Sequence, residues 1–339
     1  MTDPGRLVSI IVPVFNEAEN IAALVDRFDA FRAANPTYRF ELVVTDDGST
    51  DDTAALTSAA AAKRPDIVLV ALSRNFGSHY AITAALDHAS GDAMIAIGGD
   101  LQEPVEVIGE FLARWEDGFD IVWGIRDERV DQGLAGRAFS HAFSKLFTSF
   151  SDAESYPAEG PSGFLASRAV VDVVRTLPEA NRNLLALIAW TGFDQTRVVY
   201  QQEARRNGRS KWTTSRKVKL AIDSFVEFSH APVRFMTYVG LAIALLGFVY
   251  SAFISIRRLI WVDPIEGWTT VMVAVLIIGG LQLTMLGVLG EYIWRTAEDA
   301  RRRPLYVIKQ VDDDAAAQRN VAPIRAVVPD HPSEAANDG

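Results

Sequence analysis

The chain has 339 residues, 49% of them apolar and 22% charged, with a mean hydropathy of +0.10. A formal charge of −10, from 33 basic and 43 acidic residues, argues against nucleic acid as the main partner. The lack of cysteine excludes a disulfide framework, a thiolate nucleophile and a cysteine zinc site, and suits a reducing compartment.

The length leaves room for a catalytic domain and a second part, and the apolar fraction points to membrane segments. The opening MTDPGRLVSIIVPVF has no basic head followed by an apolar core and cleavage site, so it reads as a lead into a strand. Strands are predicted at 7–15, 40–47, 66–73, 93–98 and 120–125, and helices at roughly 18–33, 51–63, 78–89 and 104–116. Continuous apolar strands separated by helices predict an α/β domain with a mostly parallel sheet covered on both faces. Ligands of such sheets sit beyond the carboxyl ends of the strands. Four polar clusters fall there: Asn16-Glu17, Asp46-Asp47-Gly48-Ser49, Arg74-Asn75-Phe76-Gly77 and Asp100-Leu101-Gln102-Glu103.

Residues 126–200 are less regular. A loop (WGIRDERVDQG), a helix (AFSHAFSKLFTSF) and the Ser/Pro/Gly-rich SDAESYPAEGPSG are expected there, the last as a flexible cover over the active edge. Between Ala204 and Ile222 stand seven basic residues and no acid. The runs 235–256 and 268–290 then carry no charge. Each is long enough, at ~1.5 Å per residue, to cross a ~30 Å hydrocarbon core. They predict a hairpin of two transmembrane helices, with both flanks on one side. Arg216, Lys217, Lys219 and Arg234 precede it and Arg295, Arg301, Arg302 and Arg303 follow, while the connector offers only Arg257 and Arg258 against Asp263 and Glu266. That bias places the flanks in the cytoplasm.

The organisation expected is a catalytic domain (1–212), an amphipathic juxtamembrane segment (213–234), the hairpin (235–290), a cytoplasmic post-membrane segment (291–310) and a disordered tail (311–339). Localisation follows as a multi-pass inner or plasma membrane protein, with the catalytic domain and both termini cytoplasmic.

The chemistry is ambiguous motif by motif. In VTDDGSTDDT the aspartates suit a nucleobase N–H or ribose hydroxyls, and they equally suit a helix-capping turn. PVFNE has the same two readings. IGGDLQEP has one early acid, Asp100, where loops that bind a metal and a diphosphate usually offer two. The histidines show no metal-ligand spacing, and His79 suits donor contact or helix-start packing.

Taken in order, VPVFNEAENI, DDGSTDDT, LSRNFGSHYAI, GDLQEP, WGIR and RRNGRSKW followed by two spans resemble the glycosyltransferase family 2 enzymes that act on polyprenyl phosphates. These are the dolichol-phosphate mannosyltransferase and bactoprenol glucosyltransferase types, and the likeness covers about residues 7–310. It implies a GT-A fold (Rossmann-like, mostly parallel), a nucleotide-sugar donor, a polyprenyl phosphate acceptor in a bilayer, Mg²⁺ or Mn²⁺, and the homotetramer some members form. Carried over, Pro13, Phe15, Glu17, Asp46 and Asp47 would hold the nucleoside, with Arg74 near its base and Gly99 and Asp100 beside it. Asp100 and Gln102 would coordinate the metal. Arg126, Arg205, Ser210 and Lys211 would meet donor and acceptor phosphates. Cations just before a span suit a lipid head group, or simple attraction to anionic lipid.

Two positions depart from the family. Gly98 stands where its Asp-x-Asp motif has the first acid, and Ser162 where it has a proposed catalytic base. A serine is no base near neutral pH. A phosphate monoester with a second pKa near ~6 needs little proton removal, however, and Mg²⁺ is commonly held by one or two carboxylates. The expectation is therefore a working inverting transferase with a thinned metal site. Asp100, Arg126 and Ser162 are its catalytic candidates, and Glu159 a substitute acid. The competing readings are a catalytically impaired membrane scaffold and a processive polysaccharide synthase. The synthase motif Gln-x-x-Arg-Trp is broken here by Arg206.

Overall fold

The computed structural model describes residues 5–100, 102–127, 156–157, 160–177, 179, 183–202 and 267–313, with part of 238–256. The chain divides into two compact units, one running to Gly109 and resuming at Pro304, the other Glu110–Arg303.

The first unit is built on β1 (Leu7–Val14), β2 (Arg39–Asp46), β3 (Ile67–Leu72) and β4 (Ala93–Ala96). These are short runs rich in Val, Ile and Leu and buried almost throughout, as strands covered on both faces must be. β1 is parallel to β2 and to β4, with Val8 opposite Phe40 on one side and Ala93 on the other. β2 is parallel to β3, ending at Asp46 opposite Ala71. A 3-10 turn (Ala18–Asn20) leads into α1 (Ile21–Ala34), and α2 (Thr53–Ala61) and α3 (Ser78–His88) complete the crossovers. α4 (Val105–Glu116) carries the chain into the second unit. Predicted and observed elements agree here within two residues when the 3-10 turn is counted with α1. At the amino ends of the strands, buried Glu41 accepts from the Ser9 hydroxyl (2.6 Å), the Ser90 amide (2.6 Å) and the Ser90 hydroxyl (2.7 Å). This acid ties β1 and β2 to the turn that leads into β4, at the amino ends of the strands.

The second unit pairs β5 (Ile121–Arg126) antiparallel with β6 (Gly163–Ser167) and parallel with β7 (Gln195–Tyr200). α5 (Arg168–Thr176) and α6 (Leu184–Trp190) lie between β6 and β7 in sequence. The region expected to be irregular thus holds four elements among its described residues. Each is only 5–9 residues long, too short for periodicity to declare itself. The expected helix at 138–150 lies outside the described residues, as does most of the loop after it.

α7 (Trp268–Ala300) continues through EYIWRTAEDA, past the predicted span end at Gly290. Its 33 residues extend about 50 Å at ~1.5 Å per residue. Val271, Val275, Leu283, Leu286 and Ile293 are each at least 59% exposed along it. Among the described residues only Ile277–Glu298 is long and apolar enough to cross a membrane, and a shorter apolar helix covers Tyr238–Gly247. Of the two predicted spans, the first is therefore described only in part.

The segment after α7 departs from expectation. Val311 and Asp312, placed in a disordered tail, belong to β8 (Ile308–Asp312), which pairs antiparallel with β3 in the first unit. The Ser73 amide donates to Val307 O at 2.8 Å and the Tyr306 hydroxyl to Asp87 Oδ2 at 2.5 Å. β8 covers the open backbone edge that β3 would otherwise present. Its mostly exposed IKQVD carries too little apolar pattern to betray a strand.

Candidate active site at the strand ends

In the first unit the loops after β1 and β2 are laced together. Asn16 reverses the chain at φ 51, a conformation asparagine tolerates. Its amide donates to Ser49 Oγ (2.8 Å) and its Oδ1 accepts from the Thr50 amide (2.8 Å), while the Glu17 amide donates to Thr53 Oγ1 (2.9 Å). The Glu17 carboxylate accepts from buried Asn20 at 2.6 Å. Pro13 and Phe15, at the end of β1, are partly buried.

Asp46 and Asp47 end β2 at 3% and 4% exposure. Asp46 accepts from both the amide and the hydroxyl of Ser49. Asp47 Oδ1 accepts from the Phe76 amide (2.7 Å) and Oδ2 from the Gly77 amide (2.9 Å). Burial pushes both carboxyls above the usual aspartate range, against these hydrogen bonds. Gly48, at φ +70, lies flat on the next loop, where a β-carbon would come within 2.3 Å of the Arg74 carbonyl carbon. Arg74 is exposed, with its guanidinium 3.9 Å from the centroid of the Phe76 ring. His79 Nδ1 is sealed and has no hydrogen-bond partner, and burial holds the imidazole down at about 4. His79 is thus neutral at neutral pH.

The loop after β4 is built differently. Gly99 presses on the end of β1, where a β-carbon would meet Val14 Cγ1 at 2.9 Å and Pro13 O at 3.1 Å. A β-carbon on Gly98 would instead face carboxylates, with Asp100 Oδ1 at 2.9 Å and both Glu103 oxygens at 3.5 Å. Glu103 is 4% exposed; Asp100 and Gln102 are partly buried. Among the described residues no group of three or more His, Asp or Glu side chains is arranged to hold a metal.

In the second unit, Arg126 ends β5 with its side chain exposed. The Ser162 amide donates to Gly124 O at 2.9 Å, and its hydroxyl lies 3.2 Å from Gly124 O and 2.5 Å from the Tyr200 hydroxyl. Ser162 is therefore a tethered hydroxyl in place of a free carboxylate. Its partner Tyr200, 6% exposed at the end of β7, went unnoticed in sequence because β7 itself did. Glu103 stands out in the sequence only as part of the GDLQEP motif, since burial of a loop acid leaves no sequence signal. Glu159, Arg205, Ser210 and Lys211 lie outside the described residues.

An α/β sheet with acids gathered at the carboxyl ends of its parallel strands has the architecture of a GT-A-like glycosyltransferase. Residues 9–174 match Glycosyl transferase family 2, and residues 231–295 match the GtrB C-terminal hairpin. The bactoprenol glucosyl transferase of Shigella phage SfV is 37% identical over 302 residues, 89% of this chain and 98% of that protein. A prophage bactoprenol glucosyl transferase homolog of Escherichia coli K12 is 36% identical over 304 residues, 90% of this chain and 99% of that one. The crystal structure of mannosyl-3-phosphoglycerate synthase from Rubrobacter xylanophilus is also similar, with a TM-score of 0.45 and 16% identity over 69% of this chain and 75% of that one. This chain belongs to glycosyltransferase family 2.

Proposed function

We propose that the protein moves a sugar from a nucleotide-sugar donor to polyprenyl phosphate at the cytoplasmic face of a membrane, inverting the anomeric carbon. The observation that carries the reading is its end-to-end likeness to bactoprenol glucosyl transferases, through the catalytic domain and the hairpin alike. The acceptor phosphate oxygen forms a bond to the anomeric carbon as the bond from that carbon to the nucleoside diphosphate breaks. An oxygen with a pKa near ~6 is already deprotonated at neutral pH. This fits Ser162, which is tied to Tyr200 and offers no base. Arg126 would meet the phosphates, and Arg74 the donor base.

Asp100 and Gln102 would hold Mg²⁺ or Mn²⁺. The fit rests on carboxylate oxygens facing the space at Gly98, since such hard cations take oxygen ligands. When bound, the ion would neutralise charge developing on the leaving diphosphate.

The apolar side chains exposed along α7, and Arg301 stacked 5.3 Å from the Trp294 ring near its end, support a membrane span with an interfacial anchor. β8 supports a second crossing. The chain must return to the side it left in order to pair with β3, so it crosses an even number of times. The uncharged 235–256 stretch is the other crossing.

The test is transfer of labelled sugar from a panel of nucleotide sugars to polyprenyl phosphate by the purified full chain with Mg²⁺ or Mn²⁺. A lipid-extractable product from one donor, lost in Asp100→Ala, is expected. Donor binding with no product from any sugar would overturn the reading and identify a membrane scaffold of the same fold.

A further inference from the structure

We infer that Ser162 donates a hydrogen bond to the phosphate of the polyprenyl acceptor, and that Tyr200 is the positioning residue that turns the serine to this task. The inference rests on the transferase reading and adds to its acceptor side.

Both hydroxyls stand with Arg126 at one edge of the second unit's sheet. β5 ends at Arg126 opposite Tyr200 of β7, and Gly124, two residues back on the same face, pairs with Gly163 at the start of β6. The Tyr200 ring crosses β5 over Gly124, where a β-carbon would come within 3.1 Å of its Cε1 and 2.9 Å of Phe111 Cζ. That crossing carries the phenol hydroxyl from β7 to 2.5 Å from Ser162 Oγ, just ahead of β6. The Asp127 amide donates to Tyr200 O at 2.9 Å and holds the two strand ends together. Tyr200 is 6% exposed, whereas Ser162 is partly buried and Arg126 exposed, so the serine and the arginine are what a ligand at this edge meets.

The protons decide what the pair can take. Gly124 O, 3.2 Å from Ser162 Oγ, only accepts, and each hydroxyl has one proton to give. An ionised phosphate oxygen also only accepts, so a phosphate docked on Ser162 takes the serine proton. Gly124 O is not orphaned by this, because it keeps the Ser162 amide at 2.9 Å. The contact with Tyr200 must then run from the phenol to Ser162 Oγ. A chain of donors from Tyr200 through Ser162 to the anion polarises in one direction, each bond strengthening the next. Arg126 adds a charge-assisted partner at the same edge. From Tyr200 the chain continues to the basic stretch between Ala204 and Ile222 and then to the uncharged 235–256 run, which favours a phosphate carried by a lipid.

The experiment measures steady-state sugar transfer by the full-length chain in detergent, varying nucleotide sugar and polyprenyl phosphate separately. Direct binding of farnesyl phosphate is measured beside it, with farnesol as the control for the apolar chain. Ser162→Ala is expected to raise KM for polyprenyl phosphate and weaken farnesyl phosphate binding by about ten-fold, leaving KM for the donor in place. Tyr200→Phe keeps the ring and should raise the acceptor KM about three-fold, yet add nothing in the Ser162→Ala background, since it acts through the serine. Ser162→Asp offers the phosphate a like charge and should bind farnesyl phosphate more weakly than Ser162→Ala. A lowered unfolding temperature with wild-type acceptor KM in Ser162→Ala and Tyr200→Phe would make the pair a clamp between β6 and β7 and overturn the inference. So would a rise confined to the donor KM, an equal loss of farnesol and farnesyl phosphate, or farnesyl phosphate binding in Ser162→Asp as tight as in wild type. Acceptor KM unmoved by the variants of a chain that transfers sugar sinks this inference and leaves the transferase reading standing. Farnesyl phosphate binding lost in Ser162→Ala, in a chain that transfers nothing, does the reverse.

Discussion

At the end of β2, Asp47 gives both carboxylate oxygens to backbone amides of the following loop, Asp46 gives its own to Ser49, and Gly48 leaves no gap beside Arg74. At the end of β4, Asp100 and Glu103 turn three oxygens toward a space that holds no side chain at all. Both are acidic strand ends in one parallel sheet, and both carry motifs of the same family. The first uses its acids as a frame that fixes the shape of the loops after β2 and β3. The second carries Asp100, the acid that the proposed reading assigns to a cation.

The largest effects expected separate the two loops by activity against stability. Asp100→Ala should lower sugar transfer by about 100-fold or more, as loss of a ligand that acts on leaving-group charge does. Its thermal unfolding should stay within about 0.5 kcal/mol of wild type, as for a substitution away from the core. Stability that fell with the activity would make the β4 loop a second frame. Gly48→Ala should do the opposite, costing roughly 3 kcal/mol or more in unfolding free energy. The left-handed φ and a backbone collision at 2.3 Å both stand against any side chain there. Asp47→Ala comes next, at about 2–3 kcal/mol, because two amides lose a charged acceptor. Asp47→Asn should recover about half, since the amide keeps one acceptor oxygen. Equal losses in the two Asp47 variants would mean that charge matters there more than the two hydrogen bonds.

The alternation of apolar runs and helices made the first unit legible, because strands buried on both faces leave continuous stretches such as SIIVPV that few other structures need. The second unit was harder. β6, α5, α6 and β7 are short, and β7 alternates exposure along QTRVVY, so its pattern resembles loop sequence. β8 was invisible because a strand at the sheet edge needs backbone pairing more than apolar side chains. Within the candidate site, motif order pointed to the loops after β1, β2, β3 and β4 but not to the hydrogen bonds inside them. Nothing in DDGSTDDT announces that Asp47 reaches forward to Phe76 and Gly77, a contact set by the crossover of β2 to β3. Nothing in GGDLQEP reveals that Glu103 folds back toward Gly98.

The smallest effect expected is a pH dependence that distinguishes His79 from the acids of the frame. Burial lowers the imidazole from 6.5 to about 4 in the fold, so the folded chain favours the neutral ring. This contribution to stability is complete above pH 6.5 and is lost as the pH falls toward 4. Asp46 and Asp47 are shifted upward from 3.8 by burial, so their protonation on acidification stabilises the fold, opposite in sign to the histidine. Between pH 6.5 and 5 the histidine contribution is therefore read as the difference between wild type and a variant that lacks the imidazole. Because the residue keeps a partly exposed edge while Nδ1 is sealed, the loss over that window should be about 1 kcal/mol, below the unscreened ~1.4 kcal/mol per pH unit. His79→Phe keeps an aromatic ring, removes the titration and should remove this loss from the unfolding free energy between pH 6.5 and 5. It should also leave donor affinity at pH 8 unchanged, as expected of packing beneath the loop. A variant that lacks this loss but binds donor more weakly would show that the ring packs there and meets the nucleotide as well, which would extend the ligand side of the site into the frame.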